Sequence, residues 1–371
     1  MGTCDKPTNI RLLTAFPTFC YFRFLLYISR VRKSRLKELE YYTKHATYKR
    51  ANNLWKLWSG YHYSRYKKTP HQWGLPLSIS VEPTTACNLG CPECPSGLKH
   101  FTRPTGNLDV NLLDGILEEI GSTLQYLTFY FQGEPFIHPK MIELIGKASS
   151  RGIFSATSTN AHFISEKVAN EIIDSGLNKL IISIDGTTQD VYEQYRKNGK
   201  LEKVIEGTRN ILEAKKERSS IFPLVYFQFL VVKPNQHQIG EVHRLADELG
   251  VDGVLLKTAQ VYDYKNGNDL IPTIDKYSRY KKEKNGTWSI KNKLLNQCWR
   301  MWHSCVITWD GRIVPCCFDK DAQHELGKFG NQSFKEIWWG EAYKHFRQSL
   351  LISRSEIDIC KNCSEGTKVW A

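Results

Sequence analysis

No apolar run in this 371-residue chain reaches the ~20 residues that a membrane-spanning helix needs. The nearest approach, Phe16 to Ser29 (FPTFCYFRFLLYIS), is shorter, has Arg23 in its middle and Pro17 near its start, and ends in no small-residue cleavage site. Arg30, Arg32, Lys33, Arg35 and Lys37 follow it directly, so neither a transmembrane segment nor a secretory signal peptide is expected here. A secreted disulfide framework is missing too. Seven of the eleven cysteines fall in tight groupings, Cys87, Cys91 and Cys94, then Cys316 and Cys317, then Cys360 and Cys363, which read as metal sites in a reducing cytoplasm. Acidic residues are scarce at one end only: Met1 to Gly74 holds 15 Lys and Arg against 3 Asp and Glu, leaving 36 against 35 for the other 297 residues. The basic character belongs to an N-terminal extension, and no nucleic-acid partner is expected for the rest.

Within residues 1–74, the aromatic segment is followed by a cationic helix expected over Ser29 to Lys56, with Trp55 and Trp58 nearby. That is the make-up of an interfacial membrane anchor, so peripheral membrane association is one reading. The other is a helical hairpin that packs its aromatics on the body and leaves a solvated basic face. Cys4 and Cys20 have no partner at metal spacing and read as free thiols.

The organising stretch is Thr84 to Gly97, TTACNLGCPECPSG, with three thiols at C-x3-C-x2-C spacing. Leu77 to Val81 before it alternates apolar and small polar residues, as a strand does. Thiolates so placed can hold zinc or the corners of an iron–sulfur cube. Downstream, strand-like segments recur about every 25 residues, at Leu77–Val81, Tyr126–Phe131, Phe154–Thr159, Lys179–Ile184, Val225–Val232 and Gly253–Thr258. Helical patterns fill the gaps, as at Asp109–Ile120 and His138–Arg151, so 75–264 reads as repeated βα units around a parallel sheet.

The loop and its strand resemble the cluster loop of the radical S-adenosylmethionine (radical SAM) superfamily. The fold this implies is an α/β partial (β/α)6 TIM-like barrel with chemistry at the C-terminal ends of its strands. The resemblance also implies a [4Fe-4S] cluster on Cys87, Cys91 and Cys94 whose open iron chelates SAM, and an electron donor such as a flavodoxin or ferredoxin. In such enzymes SAM is cleaved to a 5′-deoxyadenosyl radical that abstracts hydrogen from the substrate. Two positions depart from the family pattern: Glu93 stands where an aromatic residue is usual, and Gln132 replaces the first glycine of the usual Gly-Gly-Glu-Pro. Carried over by position, Gly133 and Glu134 would meet the SAM ammonium, Ser183 would contact the cofactor, Arg196 would pair with its carboxylate, and Val232 would pack on its adenine; Ser158, Thr159 and Asn160 are short polar groups suited to its ribose hydroxyls or carboxylate. Asp185, before Gly186, reads as a turn or cap residue. Gln228, Lys257 and Tyr262 fall on or after late strands, where a substrate would sit.

After a polar linker (265–296) comes a cysteine-rich region, 297–371. Cys298, twelve residues, Gly311, four residues, then Cys316 resembles the opening of the SPASM extension of radical SAM enzymes. Val306–Trp309 and Arg312–Pro315 around Asp310-Gly311 read as a β-hairpin, and a helix is expected over Ser333 to Leu351. The cysteines of a second auxiliary cluster are missing, so the match is to the shorter, one-cluster twitch version. Its auxiliary [4Fe-4S] ligands would be Cys298, Cys316, Cys360 and Cys363, with Cys317 the alternative to Cys316 and Cys305 a spare thiol that could donate hydrogen. The expected activity is a radical SAM oxidoreductase, dehydrogenase- or epimerase-like, acting on a small or lipid- or sugar-linked metabolite, with the auxiliary cluster passing an electron. Maturation of a ribosomally made peptide is the alternative substrate reading, and a non-catalytic iron–sulfur carrier the alternative of another class.

Overall fold

A computed structural model describes residues 34–364. The chain divides into two units after Lys44. In the first, residues 34–44 are helical, with Thr43 Oγ1 donating to the Leu39 carbonyl.

In the second unit six strands alternate with helices: β1 (Ser78–Val81), β2 (Tyr126–Thr128), β3 (Phe154–Thr159), β4 (Lys179–Ser183), β5 (Leu224–Val231) and β6 (Gly253–Thr258). Each pairs in parallel with the next, so all six C-terminal ends face one edge, as the βα repeat requires. The helices cover the sheet with an i, i+3, i+4, i+7 stripe; on Val110–Ile120 these are Leu113, Ile116, Leu117 and Ile120, all buried in the main core. Asp109 caps that helix by accepting from Asn111 N, and Ser165 caps Glu166–Asp174 in the same way.

The cysteine-rich region extends this sheet. β9 (Ser304–Ile307) lies parallel to β1, with Ile79 opposite Cys305. β10 (Arg312–Val314) returns antiparallel to β9, and β11 (Gly327–Lys328) to β10, giving nine strands in the order β11-β10-β9-β1-β2-β3-β4-β5-β6. The turn is the expected Asp310-Gly311, with Gly311 at φ +87°.

Three expectations are corrected. The polar stretch 265–296 contains a hairpin, β7 (Tyr280–Lys282) with β8 (Trp288–Ile290). Buried Tyr280 anchors it, its hydroxyl accepting from Val261 N and donating to Asn362 Oδ1. The helix expected over Ser333 to Leu351 is two, Phe334–Trp339 and Glu341–Ser353, parted at Gly340, whose extended ψ of 166° stops the first and starts the second. The cationic helix expected over Ser29 to Lys56 breaks at 45–47, and a new helix, capped by Thr47, runs from Tyr48 to Lys67. This helix packs on the body: Asn53 and Leu75 exchange two hydrogen bonds of 2.8 Å, and Tyr61 lies against the rings of Trp299 and Trp302.

Candidate active site

β1 runs straight into the cysteine loop, and the loop is closed at its base. Glu82, fully buried, receives two hydrogen bonds from Arg103 at 2.6 and 2.8 Å, and a third from the Trp309 amide. The bidentate pair joins the chain before the three cysteines to the chain after them. Inside the loop Cys94 N donates to the Cys91 carbonyl and Leu89 N points at Cys87 Sγ from 3.5 Å. A side chain at Gly97 would place its Cβ 2.6 Å from Cys91 N, so the loop folds this tightly only with glycine there. All three thiols are free of disulfides.

Burial, with Glu134, Cys91 and Cys94 nearby, pushes the Cys87 thiol up to about 12, and burial raises Cys91 as well. A pocket that so disfavours bare thiolates is matched to a cationic metal group, which deprotonates bound thiols outright. Among the described residues no three His, Cys, Asp or Glu side chains gather closely enough to hold a single metal ion. Three thiols at C-x3-C-x2-C spacing suit three corners of an iron–sulfur cluster.

The loop after β2 is tied to the cysteine loop backbone to backbone. Glu134 N donates to the Ala86 carbonyl, and Gly133 stands at φ +75° with a would-be Cβ only 2.2 Å from the Thr84 carbonyl. Gln132 lies beside Cys94, whose thiol donates to Oε1 at 3.7 Å. The Glu134 carboxylate accepts from Thr159 Oγ1 (2.6 Å), Asn160 N (2.7 Å) and Phe136 N (3.3 Å), leaving about one of its four acceptor positions for a cofactor ammonium. Burial nonetheless lifts its pKa to about 7.

The end of β3 faces the same place. Asn160 Nδ2 donates to Asn88 Oδ1 in the cysteine loop, and Ser158 and Ser183 bring their hydroxyls within 3.4 Å. Arg196 sits 3.8 Å from Cys91 Sγ and pairs with Asp185 at 2.5 Å. Burial opposes its charge, but Asp185 and the Cys91 thiol outweigh it and keep the guanidinium protonated. Asp185 is therefore no cap: fully buried, it accepts from Arg196 and from Leu230 N. Val232 is buried in an apolar cluster with Leu89, Cys91 and Tyr195. Sequence reasoning missed Asn88, Glu82 and Arg103, whose signal was their place in or at the base of the cysteine loop, while Thr159, expected at a cofactor hydroxyl or carboxylate, donates to Glu134 instead.

Of the late-strand residues, Gln228 lies opposite Ser183 across the ladder, Lys257 is exposed, and Tyr262 is half exposed. The unusual Glu93 accepts from Tyr262 N, so its carboxylate pins the exit of β6 to the cysteine loop. Lys320, from the cysteine-rich region, donates to the Glu93 carbonyl and stands over the Tyr262 ring at 4.8 Å.

A second thiol group lies in the cysteine-rich region. Burial raises the Cys298, Cys316 and Cys360 thiols, Cys360 to about 12. Cys317, Cys298 and Cys363 all act on Cys316 through their charges, and Cys363 and Cys298 act on Cys360; Cys317 is exposed. Arg354, buried, donates to Cys363 Sγ at 3.3 Å and to the Gln297 carbonyl at 2.9 Å. Cys305 belongs elsewhere: it shares with Ile79 the helix-covered face of the sheet, in the main core, beside Tyr343 and Arg347. Its thiol is pushed up to about 12 by burial, an inert environment, so the expected hydrogen-donor role has no geometric support.

Comparison with known proteins agrees with this geometry. The family model of the radical SAM superfamily matches residues 81–246, and that of the SPASM iron–sulfur cluster-binding domain matches 298–364. A tungsten-containing aldehyde ferredoxin oxidoreductase cofactor-modifying protein of Pyrococcus furiosus is 26% identical over 321 residues, 77% of this chain and 86% of that protein. PqqA peptide cyclase of Gluconobacter oxydans is 29% identical over 54% of each chain. The mycofactocin maturase MftC of Mycobacterium tuberculosis is 26% identical over 54% of this chain and 49% of its own, so these matches span about half of those relatives. Among solved structures, Streptococcus suis SuiB bound to S-adenosylmethionine superposes with a TM-score of 0.58 at 14% identity, covering 80% of this chain and 73% of that one. Native anSMEcpe with bound AdoMet gives 0.56 at 17%, covering 79% and 90%. Those likenesses show the fold, and the two family matches show the cofactors: a SAM-binding [4Fe-4S] cluster, auxiliary iron–sulfur binding and SAM. This chain belongs to the radical SAM superfamily and carries a C-terminal SPASM iron–sulfur cluster-binding domain.

Proposed function

We propose that this protein is a radical SAM enzyme that oxidatively modifies a peptide, with one auxiliary cluster held by Cys298, Cys316, Cys360 and Cys363. The observation that carries the radical SAM part is the junction of the cysteine loop with the Gly133-Glu134 loop and Asn160 at the C-terminal edge of the sheet. When bound, the loop cluster supplies the electron that cleaves SAM to a 5′-deoxyadenosyl radical. Cys87, Cys91 and Cys94 would hold that cluster, Gly133 and Glu134 would receive the SAM ammonium, and Ser158, Ser183 and Arg196 would meet its ribose and carboxylate. Cys298, Cys316, Cys360 and Cys363 would supply all four ligands of the auxiliary cluster, a set that would suit electron transfer rather than substrate ligation.

The peptide reading rests on relatives that bear the names PqqA peptide cyclase and mycofactocin maturase. It replaces, as the better supported, the small or lipid- or sugar-linked metabolite expected from sequence. Anaerobic reconstitution followed by dithionite and SAM tests the enzyme: 5′-deoxyadenosine forms with the wild type and not with Cys91→Ala. Its absence while the cluster is reduced returns the protein to the electron-carrier class. Coexpression with candidate precursor peptides, read by mass spectrometry, tests the substrate; modification of small metabolites alone overturns the peptide assignment.

A further inference from the structure

The Tyr48–Lys67 helix buries one stripe against the body, Arg50, Asn53, Leu57, Gly60, Tyr61 and Ser64. At 100° per residue the opposite side carries Tyr48, Trp55, Trp58, His62 and Tyr66 in a stripe about 80° wide. These rings are not edges of the core: Tyr48 is 86% exposed, Trp55 62%, Trp58 56% and Tyr66 78%. Scattered exposed apolar residues are ordinary, but two tryptophans and two tyrosines aligned on one helix face form a patch.

The charge beside the aromatic stripe is all of one sign. Lys49, Lys56 and Lys67, spaced seven and eleven residues apart, project about a quarter turn from Tyr48 and Tyr66 on one flank, and Arg65 lies beside Trp58 on the other. Lys67 Nζ stands 5.3 Å from the Tyr66 ring centre. The helix contains no Asp or Glu. Tryptophan and tyrosine have an apolar body and a polar tip, which suits them to the headgroup level of a bilayer, and a row of lysines beside them complements anionic lipid. An aqueous protein partner would need an acidic, apolar groove matched to five rings in a stripe; a bilayer surface needs only the ring depth and charge already present.

We propose that this face docks on an anionic membrane surface, the helix axis in the membrane plane, with Trp55, Trp58 and Tyr66 in the headgroup region and Lys49, Lys56 and Lys67 on lipid phosphates and carboxylates. No helix among the described residues is long and apolar enough to cross a membrane, so the contact is peripheral. The proposal stands apart from the proposed catalysis, because it places the catalytic body at a surface whatever its substrate.

Flotation of the full-length protein with vesicles tests it, without SAM or reductant. The wild type is expected to float with phosphatidylcholine vesicles containing roughly a third phosphatidylserine and to stay behind with phosphatidylcholine alone. Lys49→Gln/Lys56→Gln/Lys67→Gln should bind the anionic vesicles about a hundredfold more weakly, each basic residue near such a surface giving roughly a fivefold gain. Trp55→Ser/Trp58→Ser/Tyr66→Ser should lose binding at equal lipid charge. The substituted side chains lie outside the core, and an unchanged near-ultraviolet circular dichroism spectrum certifies each fold. Failure of the wild type to float overturns the proposal. So does loss of binding on deletion of residues 1–33 with both triple variants unaffected, which gives lipid binding to that segment. A dimer that the aromatic variant converts to monomer, without vesicle binding, overturns it in favour of a second copy of this chain.

Discussion

Glu134 shows how a single buried group sets a measurable pH dependence. Burial raises its carboxyl from the ordinary 4.5 to about 7, against the pull of Asn160 N, Thr159 and Phe136 N. A carboxyl with a raised folded pKa favours folding while protonated: its contribution is full below about 4.5 and is lost as pH rises through 7. At roughly 1.4 kcal/mol per unit this amounts to about 3 kcal/mol for the metal-free protein. Urea denaturation from pH 5 to pH 8 should show that slope, and Glu134→Gln should flatten it; an equal slope in both proteins refutes the assignment. Next to it Gly133→Ala adds a Cβ at a positive φ and against the Thr84 carbonyl, so loss of SAM binding with cluster content retained is expected in equilibrium dialysis. Arg354 offers a test at the other site. Its positive charge, beside Cys298, Cys360 and Cys363, would favour the more negative, reduced form of the auxiliary cluster proposed there. Removing one charge at contact distance is worth roughly 1–3 kcal/mol, so Arg354→Gln should shift the auxiliary potential by about 50–100 mV to more negative values. Potentiometry followed by electron paramagnetic resonance should find the SAM-binding cluster unmoved and Arg354→Lys near the wild type.

At the scale of elements, the cysteine loop owes its closure to Glu82 and Arg103, both nearly inaccessible to solvent. Arg103→Met strands a carboxylate that burial already disfavours in its charged form, at a cost of about 3–5 kcal/mol in urea denaturation. Glu82→Met/Arg103→Met should recover most of it, because two apolar groups leave no orphaned charge. Neither residue carries a motif, which is why the pair was invisible in sequence while the cysteines were not. The strands were legible where period and punctuation agree: β3 and β6 fall at Phe154–Thr159 and Gly253–Thr258 as expected. Boundaries failed where tertiary contacts decide them. β2 stops at Thr128, and the Tyr130 carbonyl accepts instead from Ser80 Oγ. Gly340 divides one apparent helix, because periodicity continues across a break in backbone direction. The hairpin β7–β8 was hidden by its polar composition, since one buried tyrosine, Tyr280, holds it rather than an apolar face.

Over the molecule as a whole, the two cysteine-bearing regions are far apart in sequence and joined in structure, through the β1–β9 ladder and the hydrogen bond from Lys320 to the Glu93 carbonyl. The barrel and the cysteine-rich region could be delimited from repeat spacing, and their SAM-side residues placed by position. Nothing in either stretch says that β9 adds to the open side of β1. That pairing brings Ile79 opposite Cys305 and lets Trp302, Trp338 and Phe334 share one core with Ile79 and Val81. Trp338 Nε1 donates to the Gly74 carbonyl and Gln72 Nε2 to the Trp302 carbonyl, so the chain entering β1 is held by the region that follows the barrel. A continuous ladder and a common apolar core leave no boundary across which half the protein could melt alone. Thermal denaturation of the metal-free protein should therefore give one transition for 45–364, coincident by far-ultraviolet circular dichroism and by tryptophan fluorescence. Val306→Pro, which puts a proline inside β9, should lower that single midpoint rather than split it. Two separated transitions, with the helical signal persisting after the tryptophans are exposed, would mean that the shared core does not bind the two regions into one folding unit.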